Sequence, residues 1–354
     1  MEIFNGTVSF AQCDMHFVRK FGIIQATDMV LDYKTVNPLP FIYDTYQLAS
    51  FLDLSRKGLF ALVKNCDAQY RSITVQKKDG DFRCLQAPSS QLKRCQKRIL
   101  CGMLNVLPVS KYAKAYVRGV SLAENAAPHT GKRYLLKLDI TDFFGSIRFG
   151  QVYSAVFHSG NFPRQIGAML TTLCCKEDVL PQGAPTSPAL SNLVMYRFDN
   201  AIGRWCEKRG ITYTRYCDDM TFSADVPLFH VYEKVKSMLG DMGFFLNEKK
   251  TRFVTSANRQ VVTGLVVNDK VGIPSAYKRQ LRQEIYYCMR YGVASHMQKA
   301  HIDGTAEDYV SVLLGKVAYV LSVCDSEQFQ KYYQWLKREE MRLLLGEIGQ
   351  ISLL

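Results

Sequence analysis

The sequence contains no apolar run long enough to span a bilayer and no basic amphipathic terminus, so a membrane partner is not expected. Residues 1–22 lack the basic start and continuous apolar core of a signal peptide, which predicts a cytoplasmic protein. No C-x-x-C pair occurs among the eleven cysteines, and their number is odd. That weighs against a zinc site and against a full disulfide framework, and predicts reduced, mostly buried thiols. Acidic residues are few beside basic ones: 32 Asp and Glu against 45 Lys and Arg leave a formal charge of +13. Such a balance favours a polyanionic partner, nucleic acid first. Hydrophobic residues make up 47% of 354 positions, ample for a sizeable core, which excludes a disordered chain.

What is present is organised around Tyr216-Cys217-Asp218-Asp219. The runs 211–215 and 220–223 on either side are β-branched and aromatic, which predicts a hairpin with two adjacent carboxylates on its turn. Neighbouring side chains on extended backbone point to opposite faces, so both face one ion only if the turn bends them. Asp is also a favoured turn residue, and a solvated loop tip is the plain alternative. A third carboxylate changes the weighing: Asp139 ends the apolar run 135–138. Hard divalent cations take oxygen ligands, and a two-metal site needs carboxylates brought together from different elements.

Asp139 in LKLDITDFFGSI, LPQGAPTSPALSN at 180–192, YCDD at 216–219 and LNEKKT at 246–251 follow the order and spacing of a reverse transcriptase palm. The stretch from Asn125 to His129 resembles the NAxxH element of bacterial retron reverse transcriptases, and Val262-Thr263-Gly264 their VTG triplet. The chain thus resembles a retron enzyme over roughly residues 50 to 354. The resemblance implies an α+β right-hand polymerase fold. Its parts are an N-terminal extension (1–50), fingers (51–131, with 150–185 contributing), a palm of antiparallel sheet and helices (132–270) and a helical thumb (271–354). It also implies catalytic Asp139, Asp218 and Asp219, which together with Ile140 form the metal set for two Mg²⁺ ions, Mn²⁺ being the alternative.

The remaining stretches fill in this frame. Residues 73–75 and 82–85 predict two strands joined through Asp79-Gly80, the fingers hairpin by resemblance. Lys77 and Arg83 then clamp the triphosphate of the incoming nucleotide, whereas alone they fit an ordinary solvated hairpin. A helix is predicted from Leu92 to Val106, with Leu92, Cys95, Ile99 and Met103 on one face. Gly183 allows close backbone approach to a ligand, and Gln182 offers an amide to nucleotide or template. Ser187-Pro188 reads as the N-cap and first residue of a helix whose apolar face includes Leu190, Val194, Phe198, Ala201 and Ile202. A second helix through Val231, Val235 and Leu239 leads to strands at 244–246 and around 261–267.

By resemblance Phe144 sits under the sugar of the incoming nucleotide and excludes a 2′-hydroxyl, with a core role for Phe143 and Phe144 as the alternative. Asp142 reads as a turn or cap, and Lys250 neutralises or protonates the leaving group. Asn125 and His129 hold a loop or contact RNA, and Val262, Thr263 and Gly264 carry over as RNA-binding. Beyond 274 the pattern is helical. Lys278, Arg282, Tyr286 and Arg290 fall four apart, while Leu281, Ile285 and Cys288 face elsewhere. That stripe is either a solvated face or, in a thumb, a contact along a duplex backbone.

The implied reaction is in-line attack of a primer 3′-hydroxyl on the α-phosphate of a deoxynucleotide. The implied partners are a noncoding RNA serving as template and primer, the RNA–DNA hybrid, dNTPs, an RNA-linked single-stranded DNA product and an effector protein encoded nearby, in phage defence. A group II intron-like or other bacterial defence enzyme is the first alternative, disfavoured because no maturase or endonuclease segment follows the thumb. An RNA-binding scaffold that restrains a toxic effector is the second, and the intact carboxylates argue against it.

Overall fold

The structure, a computed structural model, describes residues 39–76, 80 and 82–351, with side chains up to 345. Most of the N-terminal extension, together with Lys77 and Asp79, lies outside the described residues. The first described elements are α1 (Thr45–Leu52) and α2 (Arg56–Lys64), started by side-chain caps from Asp44 and Ser55. They are followed by the antiparallel pair β1 (Tyr70–Gln76) and β2 (Phe82–Pro88) and by α3 (Ser90–Gly102). Leu92, Cys95, Ile99 and Met103 are all buried as expected, although the α-helix stops at Gly102 and continues as a 3₁₀ turn, Leu104–Val106. The ribbon itself is mostly exposed, so the helices at its base hold it.

The centre of the molecule is a four-stranded antiparallel sheet in the order β4 (Thr212–Tyr216), β5 (Asp219–Ala224), β3 (Tyr134–Asp139), β6 (Arg252–Thr255). Register sorts its side chains onto two faces, because successive residues alternate and directly opposed residues share a face. Leu136, Leu138, Met220, Phe222 and Tyr213 go to one face and enter the first hydrophobic core. Helices α7 (Arg164–Cys174), α8 (Ser187–Glu207) and α9 (Phe229–Gly240) contribute to the same core. Each fully buried Leu or Phe there is worth roughly 1.5–3 kcal/mol. Short helices α4 (Leu122–Ala126), α5 (Phe143–Ser146) and α6 (Phe149–Val152) make the connections around β3.

Three expectations need correction. Ser187 is not the N-cap of α8: Thr186 holds that position, because the Ser187 hydroxyl turns away to donate to the Pro181 carbonyl at 2.8 Å. The stretch 244–246 makes only an isolated bridge, Leu246 to Ile140, and the fourth strand is β6. The expected strand at 261–267 is a tight hairpin, β7 (Val261–Val262) and β8 (Leu265–Val266), whose turn residues Thr263 and Gly264 have φ of 45° and 86°. Positive φ at both turn positions is the type I′ pattern, which folds the chain back at once.

A second core holds this hairpin against α10 (Ser275–Tyr291), α11 (Val293–Lys299), α12 (Ala306–Leu321) and α13 (Glu327–Ile351). Val262, Leu265, Val267, Leu281, Ile285 and Cys288 lie inside it, as does Leu135 from the other face of the sheet. Among the described residues nine cysteines are free thiols, seven of them buried, while Cys101 departs from the expectation of reduced thiols and is disulfide-bonded. Among the described residues no helix is long and apolar enough to cross a membrane.

The end of the sheet face that carries Leu135 is closed by the segment from Asn125 to His129. His129 is fully buried, with Nδ1 2.7 Å from Ser223 Oγ on β5 and Nε2 2.8 Å from Thr214 Oγ1 on β4. Asn125 is buried too and donates to Thr263 Oγ1 at 3.3 Å, tying α4 to the β7–β8 turn. Burial removes both from any RNA-facing surface and makes them struts between sheet and hairpin; Val262, also buried, is withdrawn from RNA contact for the same reason.

Burial lowers the His129 pKa from 6.5 to about 3. The unfolded chain therefore binds the proton first as pH falls, so stability present above 6.5 is lost towards 3, at about 1.4 kcal/mol per pH unit. Denaturant midpoints measured between about pH 7 and 4.5 should show this slope in the native protein and lose it in His129→Gln. Equal slopes in the two proteins would refute the buried, neutral imidazole.

Candidate active site

The β4–β5 turn is two residues long, since Tyr216 pairs directly with Asp219. Cys217, the first of the two, has φ of 60°, a conformation that L-residues adopt at a cost of roughly 1–2 kcal/mol. Two contacts hold it there. The Cys217 carbonyl accepts from Arg215 Nη1 at 2.9 Å, and the Tyr116 hydroxyl donates to its sulfur at 3.4 Å. Arg215 and Asp199 of α8 are both 0% exposed and form a two-pronged pair, Nη2 to Oδ2 at 2.6 Å and Nε to Oδ1 at 2.9 Å. Asn192 Oδ1 accepts a further bond from Arg215 at 3.1 Å, and Tyr213 donates to Asp199 at 2.8 Å. Burial alone works against the guanidinium charge, but Asp199 more than reverses it, and the Arg215 pKa ends above its usual value.

This bent turn brings the three carboxylates into one another's fields. Asp139 and Asp219 are direct cross-strand partners, and the Asp218 carbonyl accepts from the Ile140 N–H at 3.2 Å. Burial, then repulsion from Asp139, raises the Asp218 pKa; burial, then repulsion from Asp218, raises that of Asp219. The 247–250 turn is pinned by the Asn247 N–H to the Asp139 carbonyl at 2.8 Å, which sets Lys250 Nζ 2.9 Å from Asp139 Oδ2. Hydrogen bonding to Asp139 raises the Lys250 pKa.

The donor set fits a hard divalent cation: oxygen ligands from two elements, partly buried and repelling each other. Asp139, Asp218 and Asp219 are the carboxylates that could hold such an ion. Ile140 is a buried apolar side chain, so only its carbonyl could serve. Among the described residues no group of three or more His, Cys, Asp or Glu side chains forms a ready-made metal cage, and Lys250 takes one oxygen of Asp139.

Around the carboxylates, Phe143 is buried in the first core while Phe144 is half-buried against it, their ring centroids 5.5 Å apart. Asp142 has φ of 43° and precedes α5 without a capping bond from its side chain. Gly183 does approach another backbone closely, that of the β2 strand: its φ is 124°, an added Cβ would lie 2.9 Å from the Gln86 carbonyl oxygen, and Gln86 N–H donates to the Gln182 carbonyl at 2.7 Å. This contact docks the β1–β2 ribbon onto the segment before α8. Arg83 is exposed on β2. On α10, Tyr286 and Arg290 are exposed and Lys278 and Arg282 half-buried, with Leu281, Ile285 and Cys288 turned into the second core; Thr263 is half-buried and Gly264 exposed at the hairpin tip.

Sequence inspection missed Arg215, Asp199, Asn192 and Tyr116. The available signal was a charge inside an apolar pattern: Asp199 follows Phe198 on the core face of α8, and Arg215 sits within a strand. A buried charge needs a partner of opposite sign, so each predicts the other.

The reverse transcriptase (RNA-dependent DNA polymerase) family matches residues 75–287. The retron Ec86 reverse transcriptase of Escherichia coli is 30% identical over 311 residues, covering 86% of this chain and 92% of that protein. The retron Mx65 reverse transcriptase of Myxococcus xanthus is 36% identical over 265 residues, 69% of this chain and 61% of that one. A solved telomerase from Candida albicans with a fragment of telomeric RNA aligns over 76% of this chain and 66% of that chain, with a TM-score of 0.41 at 10% identity, too low to bear on the site. Matched over more than half its length by the family and over most of both chains by a retron enzyme, the chain belongs to the retron reverse transcriptases, RNA-directed DNA polymerases of right-hand fold.

Proposed function

We propose that this enzyme copies part of a dedicated noncoding RNA, which is both template and primer, into single-stranded DNA that stays linked to the RNA. The product serves phage defence in the cytoplasm together with an effector protein encoded nearby. Support comes from relatives that are retron reverse transcriptases over most of the chain. The parts divide as fingers (51–131, with 150–185), palm (132–270) and thumb (271–354), and the second core takes in the palm's last hairpin.

The observation that carries the catalytic reading is the convergence of Asp139 with Asp219, its direct cross-strand partner, and with Asp218 on the adjoining two-residue turn, where burial and mutual repulsion raise the pKa of Asp218 and Asp219. Reverse transcriptases depend on divalent metal ions, and in this one Asp139 and Asp218, assisted by Asp219, would hold Mg²⁺. A pair of such ions would supply the charge that lowers the pKa of an attacking hydroxyl and stabilises a leaving pyrophosphate. Lys250, charged and free to leave Asp139 once that carboxylate is otherwise neutralised, is placed to neutralise or protonate the pyrophosphate. Phe144 lies under the nucleotide sugar, Arg83 and Lys77 on its triphosphate, and Gln182 and Gly183 beside it. Thr263, Gly264, Lys278, Arg282 and Arg290 face RNA.

Asp139→Ala and Asp218→Ala should each abolish primer extension and leave RNA binding within about twofold, since no basic surface changes; extension by either variant would overturn the ligand assignment. Without metal, ionised Asp218 is held against its raised pKa at neutral pH, so Asp218→Asn should melt higher than the native chain. Added Mg²⁺ should then raise the melting temperature of the native protein and not that of the variant, whereas equal shifts would place the ion elsewhere.

Phe144→Ala should admit ribonucleotides in single-nucleotide extension while the melting temperature falls little, because the ring is only half-buried. A folded variant that still rejects ribonucleotides removes Phe144 from the sugar site. Replacing Lys278, Arg282 and Arg290 together by Gln should flatten the salt dependence of RNA binding by up to about 0.7 per lost contact with single strands. An unchanged slope would make the stripe a solvated face.

A further inference from the structure

Two pairs of like charges cross the palm sheet side by side. Asp139 opposes Asp219 between β3 and β5, and two residues back along β3 Lys137 opposes Arg252 of β6. Directly opposed residues share a face with Cβ atoms roughly 4.5–5.5 Å apart, where like charges repel. Two residues along a strand return to the same face, so the cations lie roughly 7 Å behind the carboxylates. The acidic pair is offset by cations, whereas the basic pair has no carboxylate of its own. Among the described residues neither Lys137 nor Arg252 forms an ion pair, and Lys137 only lowers the proton affinity of Asp219 from a distance.

Arg252 is nevertheless held. Its Nη1 donates to the carbonyls of Lys249 at 2.7 Å and Thr251 at 2.9 Å, which keeps the guanidinium beside the turn that carries Lys250. Nε and Nη2 are left without a hydrogen bond among the described residues. The next residues on this face, Leu135 and Val254, pack against the second core, and the neighbouring Thr221 and Thr214 are buried. The open part of the face therefore consists of the carboxylates followed by these two cations. A strand whose 3′ end reaches Asp139 and Asp218 must carry its nearest backbone anion away across that open face.

The geometry points to Lys137 and Arg252 as a phosphodiester-binding pair that grips the primer strand next to its reactive end. This rests on the polymerase reading of the carboxylates. The incoming triphosphate and the template backbone carry the same chemistry, and the experiment separates them.

Arg252→Gln, Lys137→Gln and the conservative Lys137→Arg are made in the full chain. Binding of a DNA primer annealed to an RNA template is measured over a salt series. Each Gln variant should lower the slope of log affinity against log salt by about 0.9, and Lys137→Arg should keep it. The KM for primer–template should rise several-fold while kcat and the dNTP KM stay within about twofold. A primer with one neutral methylphosphonate at the linkage nearest its 3′ end should bind native protein as weakly as the unmodified primer binds Arg252→Gln, and lose nothing further in the variant.

An unchanged slope overturns the pair. A response to methylphosphonates in the template strand alone overturns the primer assignment, and a raised dNTP KM with unaltered primer affinity gives the pair to the triphosphate. Loss of kcat alone in Lys137→Gln makes that residue a counter-charge to Asp219 and also overturns the proposal. If Lys137→Gln fails to fold in a thermal melt, the exposed Arg252→Gln decides by itself. Failure of the native chain to extend the primer would sink the polymerase reading instead, and the salt slopes would still decide the pair.

Discussion

The buried ion pair between Arg215 and Asp199 is the constraint on which the site depends. Both groups are wholly out of water, so each exists charged only because the other is in place and because Asn192, Tyr213 and the Cys217 carbonyl complete their hydrogen bonds. Replacing such a pair by apolar residues is often neutral for stability, while removing one partner costs roughly 3–5 kcal/mol. Stability alone therefore does not account for it. The guanidinium spends one prong on the carbonyl of Cys217, the residue whose left-handed backbone bends the turn. Helix α8 is thereby coupled, through two side chains, to the position of Asp218.

The other side of the same sheet carries the consequence. Asp139, Asp218 and Asp219 are crowded and partly buried, and the fold keeps them so although burial and the fields of Asp139 and Asp218 raise the proton affinity of Asp218 and Asp219. Lys250 relieves part of this from a turn that is itself pinned to the Asp139 backbone. A site held against its own repulsion is a cost to the folded state that a cation removes. This is the expected trade between stability and activity, in which strain sits at the chemistry and is offset by packing elsewhere.

Two further close contacts hold the parts around that site. Gly183 lets the segment before α8 lie against Gln86, so the exposed β1–β2 ribbon is anchored to the chain that leads into α8. Asn125 and His129 close the far end of the catalytic face and tie it to the β7–β8 hairpin, which belongs to the core of the C-terminal helices. The first contact joins the ribbon to the segment before α8, and the second makes Asn125 and His129 joints between sheet and hairpin.

The sequence by itself determined the reaction and the order of the elements. The carboxylates, the hairpin that carries two of them, the apolar faces of α3, α9 and α10 and the basic excess are all local patterns, set by alternation, helical period and turn chemistry within a few residues. It also singled out Lys250 by resemblance. What only the tertiary structure decided are the pairings between distant positions: Arg215 with Asp199, His129 with Thr214 and Ser223, Gly183 with Gln86, and Lys137 with Arg252. A histidine in a motif reads alike whether it meets RNA or two buried hydroxyls, and a lysine two residues before an aspartate says nothing of what lies across the sheet. Burial and strand register decide both, and neither exists until segments far apart in the chain have packed together.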